Sequence, residues 1–454
     1  MMQVKMSSGP TSRRRVRRIL MVSFDFPPRN TGGMMRSVRF ANRFTQRGIK
    51  VRVVSAEAAG SESTDPETLS LLEPEVEVIR LPVRKLADGL FARLVRSGYL
   101  FYSDDLWLRW SGRLKEELSQ SIRSFQPDVL MITMPPFSLH RLVPWLRKMF
   151  DIPVWTDLRD AWSQWIVSPF PTYLHYCYRL HQEKRILHQS SVITVTSRVT
   201  RQDLLRLHGE NLENQLLYLP NSFEDYTSDS FAYPNFRANK KVTFLYLGSF
   251  YFNEQSQSLL DKPWCEKKPY QWLQYSPRRE DWTYRSPQKL FDIFDAVLEA
   301  NPELSSNIEL IFAGDRPPWW ERMLGRRRVS GVCRHLGRVP KARALSLVHE
   351  ADILMLTSSK VLGGPDYSIA GKTFEYFAAR KPILGFVCEG AQKDILAQSG
   401  VAVCLDPDEP QAAQRKLQDF IAGDLNFTPV NGFLDAHISA NVIDNFLPAL
   451  EERL

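Results

Sequence analysis

Lys372 and Glu375 stand one helical turn apart in the stretch LGGPDYSIAGKTFEYFAARKPIL, residues 362–384. A glycine-bearing, partly polar loop leads into a short helix that opens at Gly371-Lys372. A helix start offers unpaired backbone N–H groups and a partial positive charge, which suit a phosphate. Lysine is normally favoured at the other end of a helix, so its place here is one where a bound anion would compensate. Glu375 falls on the same face, at i+3. Diphosphate at Gly371-Lys372 and hydroxyls at Glu375 would describe a sugar nucleotide. A solvated Lys–Glu surface pair is the alternative these two residues leave open.

Holding such a pair in place takes a loop after one buried strand and a helix returning to the next. The helix stops at Ala379-Arg380-Lys381, and Pro382 opens the apolar strand Ile383–Val387. Strands are predicted before it at Val242–Leu247, Ile308–Ala313 and Ile353–Thr357, and after it at Val401–Leu405. Helices over 287–299 and 341–349 lie between them. The first half repeats the pattern. Ile19–Ser23 is a buried strand, 24–33 a Pro/Gly loop ending in Gly32-Gly33, and Met35, Val38, Ala41, Phe44 and Thr45 mark a helix ending at Gly48. Further strands are expected at Val51–Val54, Val76–Leu81, Val129–Thr133, Val154–Asp157, Val192–Thr196 and Leu216–Leu219. Strands alternating with helices imply parallel sheets covered on both faces. The expected fold is α/β, two doubly wound, Rossmann-like domains with a ligand cleft at the carboxyl ends of their strands. The boundaries read as a basic tail 1–18, a first domain 19–225, a linker 226–240, a second domain 241–430, and a C-terminal helix 431–454 packing back on the first domain.

Composition excludes several classes. The 454 residues exceed what one core usually serves, and 43% hydrophobic with 24% charged residues describes a globular chain. Apolar runs such as Val129–Ile132 are strand-length, far short of a membrane span, and residues 1–18 lack the apolar core of a signal peptide. The five cysteines are scattered with no C-x-x-C pair, which argues for the cytosol and against structural zinc or disulfides. Of the net charge of +8, six units precede residue 19, leaving +2 for the rest. The excess therefore belongs to a flexible arm or to contact with anionic lipid, and nucleic acid is not an expected partner. Between 252 and 285 the βα pattern breaks into an aromatic, basic insertion with Trp264, Trp272 and Trp282 among lysines and arginines. It reads as a small satellite core, a sugar-stacking surface or a membrane-interface surface.

Laid out in order, the motifs resemble the GT-B glycosyltransferases, specifically the retaining family four that builds bacterial surface polysaccharides. The likeness is carried by ILMVSFDFPPRNTGG at 19–33, VWTDLRDAW at 154–162, VITVTSRVTRQDLLRLHG at 192–209, YLPNSFE at 218–224, FLYLGSFY at 244–251, IELIFAGD at 308–315, LGRVPKARALSLVHEADILMLT at 336–357 and GKTFEYFAARKPIL. It implies metal-independent transfer of a sugar, with retention, from a nucleotide-sugar donor to a lipid-linked or oligosaccharide acceptor, and no cofactor. The residues it implies for the donor are Gly32, Gly33, Gly248, Gly371, Lys372 and Glu375. The arginine and lysine that many members carry after the first strand of domain two are missing beyond Gly248-Ser249, which shifts weight to Lys372 with Lys360 as a substitute. The first glutamate of the family's pair is missing as well: Tyr367 stands in its place, beside Asp366. Where many members have a strand-end histidine, this chain has Asp157-Leu158-Arg159-Asp160. Asp160 and Asp157 are the catalytic candidates, with Arg159 a phosphate contact; a helix-capping role for Asp160 and a structural His140 are the alternatives.

The stretch 80–113, with Trp107 and Trp110 among arginines, is the expected face toward a membrane carrying the acceptor, or else an ordinary helix pair. Asp406-Pro407-Asp408 has the spacing of a metal motif but sits late in the chain, in an expected loop, and is not read as one. A nucleotide-sugar epimerase, a sugar-phosphate synthase and a non-catalytic sugar-nucleotide scaffold are the rival functions.

Overall fold

The computed structural model describes residues 15–58, 64–84, 106–164, 169–233, 241–252 and 262–454. Most of the basic tail, much of the 80–113 stretch, the end of the linker and the start of the insertion lie outside the described residues.

The first domain is built on a seven-stranded sheet: β1 (Arg18–Val22), β2 (Lys50–Ala56), β3 (Glu77–Leu81), β4 (Val129–Met134), β5 (Val154–Leu158), β6 (Val192–Val195) and β7 (Leu216–Tyr218). Their order is β3-β2-β1-β4-β5-β6-β7, every pair parallel. Central strands such as β4 are buried along their whole length, as continuous apolar runs must be when helices cover both faces. Helix α1 (Met34–Gln46) buries Met34, Val38, Ala41 and Phe44, one stripe of its surface. α2 (Leu106–Phe125), α3 (Leu142–Met149), α4 (Tyr173–Gln189) and α5 (Arg198–His208) complete the layers. Trp110 on α2 is a core residue packed against Phe24 with the rings 5.6 Å apart. The described end of the 80–113 stretch is thus an ordinary amphipathic helix, and Trp110 faces no membrane.

The second domain follows with β8 (Val242–Leu247), a short β9 (Arg279–Glu280), α6 (Gln288–Ala300), β10 (Ile308–Ala313), β11 (Cys333–His335), α7 (Lys341–Glu350), β12 (Ile353–Thr357), β13 (Val361–Leu362), α8 (Lys372–Ala378), β14 (Ile383–Phe386), α9 (Ala391–Ser399), β15 (Ala402–Leu405) and α10 (Pro410–Ala422). Its main sheet is parallel in the order β11-β10-β8-β12-β14-β15. β9 and β13 form a separate antiparallel pair that ties the insertion to the loop after β12. The strands expected in both halves are present, so the α/β architecture of two doubly wound domains stands. β11 had no signal in its sequence, because a half-exposed edge strand reading Cys-Arg-His lacks the apolar run of a buried one.

The chain returns to the first domain at its end. Helix α11 (Ser439–Glu451) places Val442, Ile443, Phe446 and Leu450 in the same core as α1, with Phe446 4.9 Å from Trp155, and Asp444 pairs with Arg43. Beside the interdomain connection, Phe223 bridges Ile438 and the hydroxyls of Ser222 and Ser439 lie 2.9 Å apart.

Candidate functional site

In each sheet the chain reverses its direction of growth once, and the two reversal points are where a ligand crevice opens. In the second domain that point lies between β8 and β12. Gly248 leaves β8 with φ of +113°, a conformation that favours glycine, and a Cβ on the neighbouring Gly314 would meet the Gly248 carbonyl oxygen at 2.4 Å. This close packing of backbones leaves a cavity of about 300 Å³ over the strand ends. Its walls come from Tyr246 and Gly248–Tyr251 after β8, Thr357–Ser359 after β12, Asp366–Ala370 and Lys372 around the start of α8, and Tyr284-Arg285 of the insertion. Asp160 closes it from the first domain.

Beside Arg285 of the insertion, Lys372 brings a second cation to this cavity. Its ammonium lies over the Tyr246 ring and 3.4 Å from where a Gly248 Cβ would stand. No carboxylate pairs with it among the described residues. Tyr376, one turn further along α8, is fully buried and its hydroxyl accepts the Leu247 N–H, which fixes the helix against β8. Gly371 caps α8 without lining the cavity. Glu375 does not share the cavity with Lys372 either: it is exposed, and its charge acts on Arg39 of α1 in the other domain. The i, i+3 relation put both side chains near one face, but the domain interface divides that face between the cavity and α1.

Three further expectations need correction. Asp157 cannot touch a substrate. It has no exposed surface, Arg36 grips both of its oxygens at 3.1 and 2.8 Å, and Thr133 and Thr194 donate hydroxyls to it. Burial alone would raise its carboxyl, but Arg36 and Thr194 outweigh burial and hold it below the usual carboxylate range. Neither Gly32 nor Gly33 lines the cavity, and Gly33 lies against Arg159, which fills the reversal point of the first sheet. A Cβ on Gly33 would overlap the Arg159 guanidinium at 1.4 Å, and that group also donates to the Pro135 carbonyl at 2.6 Å and lies 3.5 Å from Asp25. Lys360 is bound by Asp408 and lies over Tyr284, outside the cavity lining, so it is no substitute clamp. The same ion pair takes one of the two carboxylates of Asp406-Pro407-Asp408. Among the described residues no cluster of three or more His, Cys, Asp or Glu side chains could hold a metal.

Asp160 is brought to the cavity. It is open to solvent at the mouth yet crowded by protein from both domains, and this desolvation raises its carboxyl; Arg159 opposes the rise and Asp157 adds to it. A raised carboxyl in a cleft is a candidate for proton handling. The loop carrying it is held from behind by buried Glu183, which accepts the backbone N–H and hydroxyl of Ser163 and contacts His208 at 2.7 Å. His140 is buried, its Nδ1 donating to the Phe137 carbonyl and its ring 4.8 Å from Trp162, a structural placement.

Sequence reasoning missed Ser358 and Ser359, which the rule of the reversal point between β8 and β12 would have found. It noted Asp366 only as a neighbour of Tyr367. Asp366 is buried, its Oδ1 accepts from Ser359 and from the Ser368 backbone and hydroxyl, and its Oδ2 faces no partner. Burial raises its carboxyl despite those bonds. Arg285, paired with buried Glu280, had no signal at all because it lies in the insertion. A second cavity of about 550 Å³ sits at the interdomain connection between Tyr218-Leu219-Pro220, α9 and α11. Arg198, Asp394, Gln398, His437 and Asn445 stand among its apolar walls, and none of the site residues expected from the sequence lines it.

Two Rossmann-like domains closing a polar cavity at a strand-reversal point define the GT-B class. Solved structures agree over nearly the whole length: sucrose-phosphate synthase from Thermosynechococcus elongatus (13% identity, 96% of this chain and 97% of that one, TM-score 0.58) and the apo lipopolysaccharide outer core galactosyltransferase WaaB (11%, 96% and 100%, 0.59). The UDP-forming α,α-trehalose-phosphate synthase from Burkholderia xenovorans in complex with glucose-6-phosphate is similar too (12%, 95% and 99%, 0.55). At such identities these likenesses speak for the fold. No curated protein sequence matches the chain. Residues 31–221 match the glycosyl transferase 4-like domain, and the two-domain architecture is the GT-B fold.

Proposed function

We propose that the chain transfers a sugar, with retention, from a nucleotide-sugar donor bound in the second-domain cavity to an acceptor entering from the first domain. One observation carries the reading: Lys372, a cation with no carboxylate partner among the described residues, lines the same cavity as Asp160 of the opposite domain. A leaving diphosphate needs its growing charge neutralised, and a preorganised ammonium at a strand-reversal point does this without reorganisation. Lys372 takes that role without a resident metal. Asp160 positions the acceptor hydroxyl or faces the positive charge that develops on the sugar, and the donor hydroxyls meet Ser359, Ser368 and Asp366. A UDP-forming enzyme among the fold relatives makes UDP-sugars the first donors to try. A lipid-linked or oligosaccharide acceptor in surface-polysaccharide synthesis, at the cytoplasmic face, follows from the family resemblance; among the described residues no helix is long and apolar enough to cross a membrane.

The test is a thermal-shift panel of UDP, GDP and their sugars, followed by transfer to candidate acceptors with the donor found. A stabilising nucleotide sugar that is consumed only when acceptor is present supports the reading. Retained binding with no turnover on any acceptor favours the non-catalytic scaffold, whose specific support is the absence of basic residues after Gly248 and the turning of Glu375 toward Arg39.

A further inference from the structure

The insertion after β8 does more than line the donor cavity. Its described part leaves the second domain and crosses to the first. Tyr275 and Phe170 exchange two backbone hydrogen bonds of 3.0 and 2.7 Å, and the Tyr275 ring lies 4.9 and 4.8 Å from those of Tyr173 and Tyr176. Arg278 pairs with Asp203 of α5, both side chains mostly buried. These contacts fasten the strap beside the cavity, whose wall it continues through Tyr284 and Arg285.

What the strap leaves outside is unusual for a folded surface. Trp264 is 70% exposed, Trp272 51% and Leu273 72%; on α4, where Tyr275 docks, Tyr173 is 57% and Leu174 77% exposed. Single exposed apolar residues need no explanation, but two indoles in mutual contact with a leucine beside them in the chain do. The indoles are held outward. Their rings meet edge-on at 5.6 Å, and the Trp272 N–H is bound by the Lys267 carbonyl 2.9 Å away. The same stretch of chain carries the exposed Lys262, Lys268 and Arg279, with Glu266 the sole acid between 262 and 279.

An interface with another protein is usually depleted of lysine and carries its aromatic anchors in a closed, desolvated centre. Exposed tryptophan and leucine in a segment rich in exposed bases instead matches the boundary of a bilayer, where amphipathic rings sit at headgroup level and bases meet anionic lipid. We propose that this strap is a membrane-docking surface for anionic phospholipid. Trp264, Trp272 and Leu273 enter the headgroup layer, and Lys262, Lys268 and Arg279 meet its phosphates. Because the strap crosses beside the cavity, docking sets the interdomain cleft against the bilayer. The inference goes beyond the transferase reading and needs neither donor nor acceptor to be known.

The test is flotation of the full chain with vesicles of phosphatidylcholine, with and without phosphatidylglycerol. Wild type should float with the anionic vesicles and far less with the neutral ones. The double variant Trp264→Ser/Trp272→Ser should lose about tenfold in bound fraction with an unchanged melting curve. Lys268→Glu/Arg279→Glu should abolish the preference for phosphatidylglycerol. Flotation of the tryptophan variant equal to wild type would place lipid binding elsewhere, for instance in the N-terminal arm, and overturn the proposal. So would absence of flotation by wild type, or quenching of these tryptophans by soluble oligosaccharide but not by vesicles. Nucleotide-sugar binding by the same variants, read separately, keeps this outcome distinct from failure of the transferase reading.

Discussion

The Lys372 ammonium lies 3.6 Å from the centre of the Tyr246 ring, so this cation rests on an aromatic face, and no carboxylate among the described residues pairs with it. Such a contact contributes roughly 0.5–2 kcal/mol, less than an anion close to the same group in a partly desolvated site. Tyr246 is in turn stacked on Phe250 at 4.3 Å, which stiffens the platform. The arrangement holds the lysine in place and leaves its charge available.

Lys372→Ala should therefore weaken the nucleotide sugar that the panel identifies by about 10–100-fold, the worth of one charged hydrogen bond. The melting temperature of the free protein should barely move, since only the contact with Tyr246 is lost. Calorimetric titration checks the first and a thermal melt the second. Near-normal affinity would remove Lys372 from the donor site.

Asp157 and Asp160 are three residues apart and should respond in opposite ways. Asp157→Asn leaves Arg36 without its counter-charge in the core, at a cost of about 3–5 kcal/mol in urea unfolding. Asp160→Asn, at the open mouth of the cavity, should cost less than about 1 kcal/mol while lowering turnover on the order of 100-fold with donor affinity intact. Equal loss of stability in both would mean that Asp160 too is structural.

The contrast between these two aspartates shows what could be read from the sequence. Short continuous apolar runs placed the strands of both sheets, because fully buried parallel strands read that way and Ile383–Phe386 or Val129–Met134 fit little else. Lys372 was legible because a lysine at a helix start breaks a local electrostatic preference. Asp157 was misread because burial and the reach of Arg36, over a hundred positions away in the chain, leave no local mark. The resemblance implies a donor contact for Gly33, but the room a missing side chain leaves there serves the Arg159 side chain, and only the fold tells the two uses apart. The strap, with its Tyr275–Phe170 pairing, depends on a contact between domains that no period encodes.

Gly33→Ala tests that use of the room. The new methyl would occupy the space of the Arg159 guanidinium, which must give up its bond to Pro135, and we expect a loss of about 1–3 kcal/mol. In Arg159→Ala the room is vacant, so adding Gly33→Ala there should cost little. The double-mutant cycle, read by urea unfolding, should be far from additive. Additivity would separate the two residues.

His140 should make the first domain sensitive to mild acid. Burial beneath Trp162 lowers its pKa to about 4 from the ordinary 6.5; the hydrogen bond to Phe137 resists this, and nearby Arg141, Arg179 and Arg185 add to it. Between those two values the unfolded chain binds a proton that the folded one refuses, so stability is fully present above about pH 6.5 and falls as pH drops toward 4. At one to two kcal/mol for each pH unit of difference, the full loss is on the order of 3 kcal/mol. His140→Phe keeps a ring against Trp162 and removes the titration. Its unfolding free energy, measured by urea melts across this range, should therefore decline less steeply with acid than that of wild type. If the two profiles run parallel, the acid sensitivity belongs to other groups and the neutral, buried histidine is not its source.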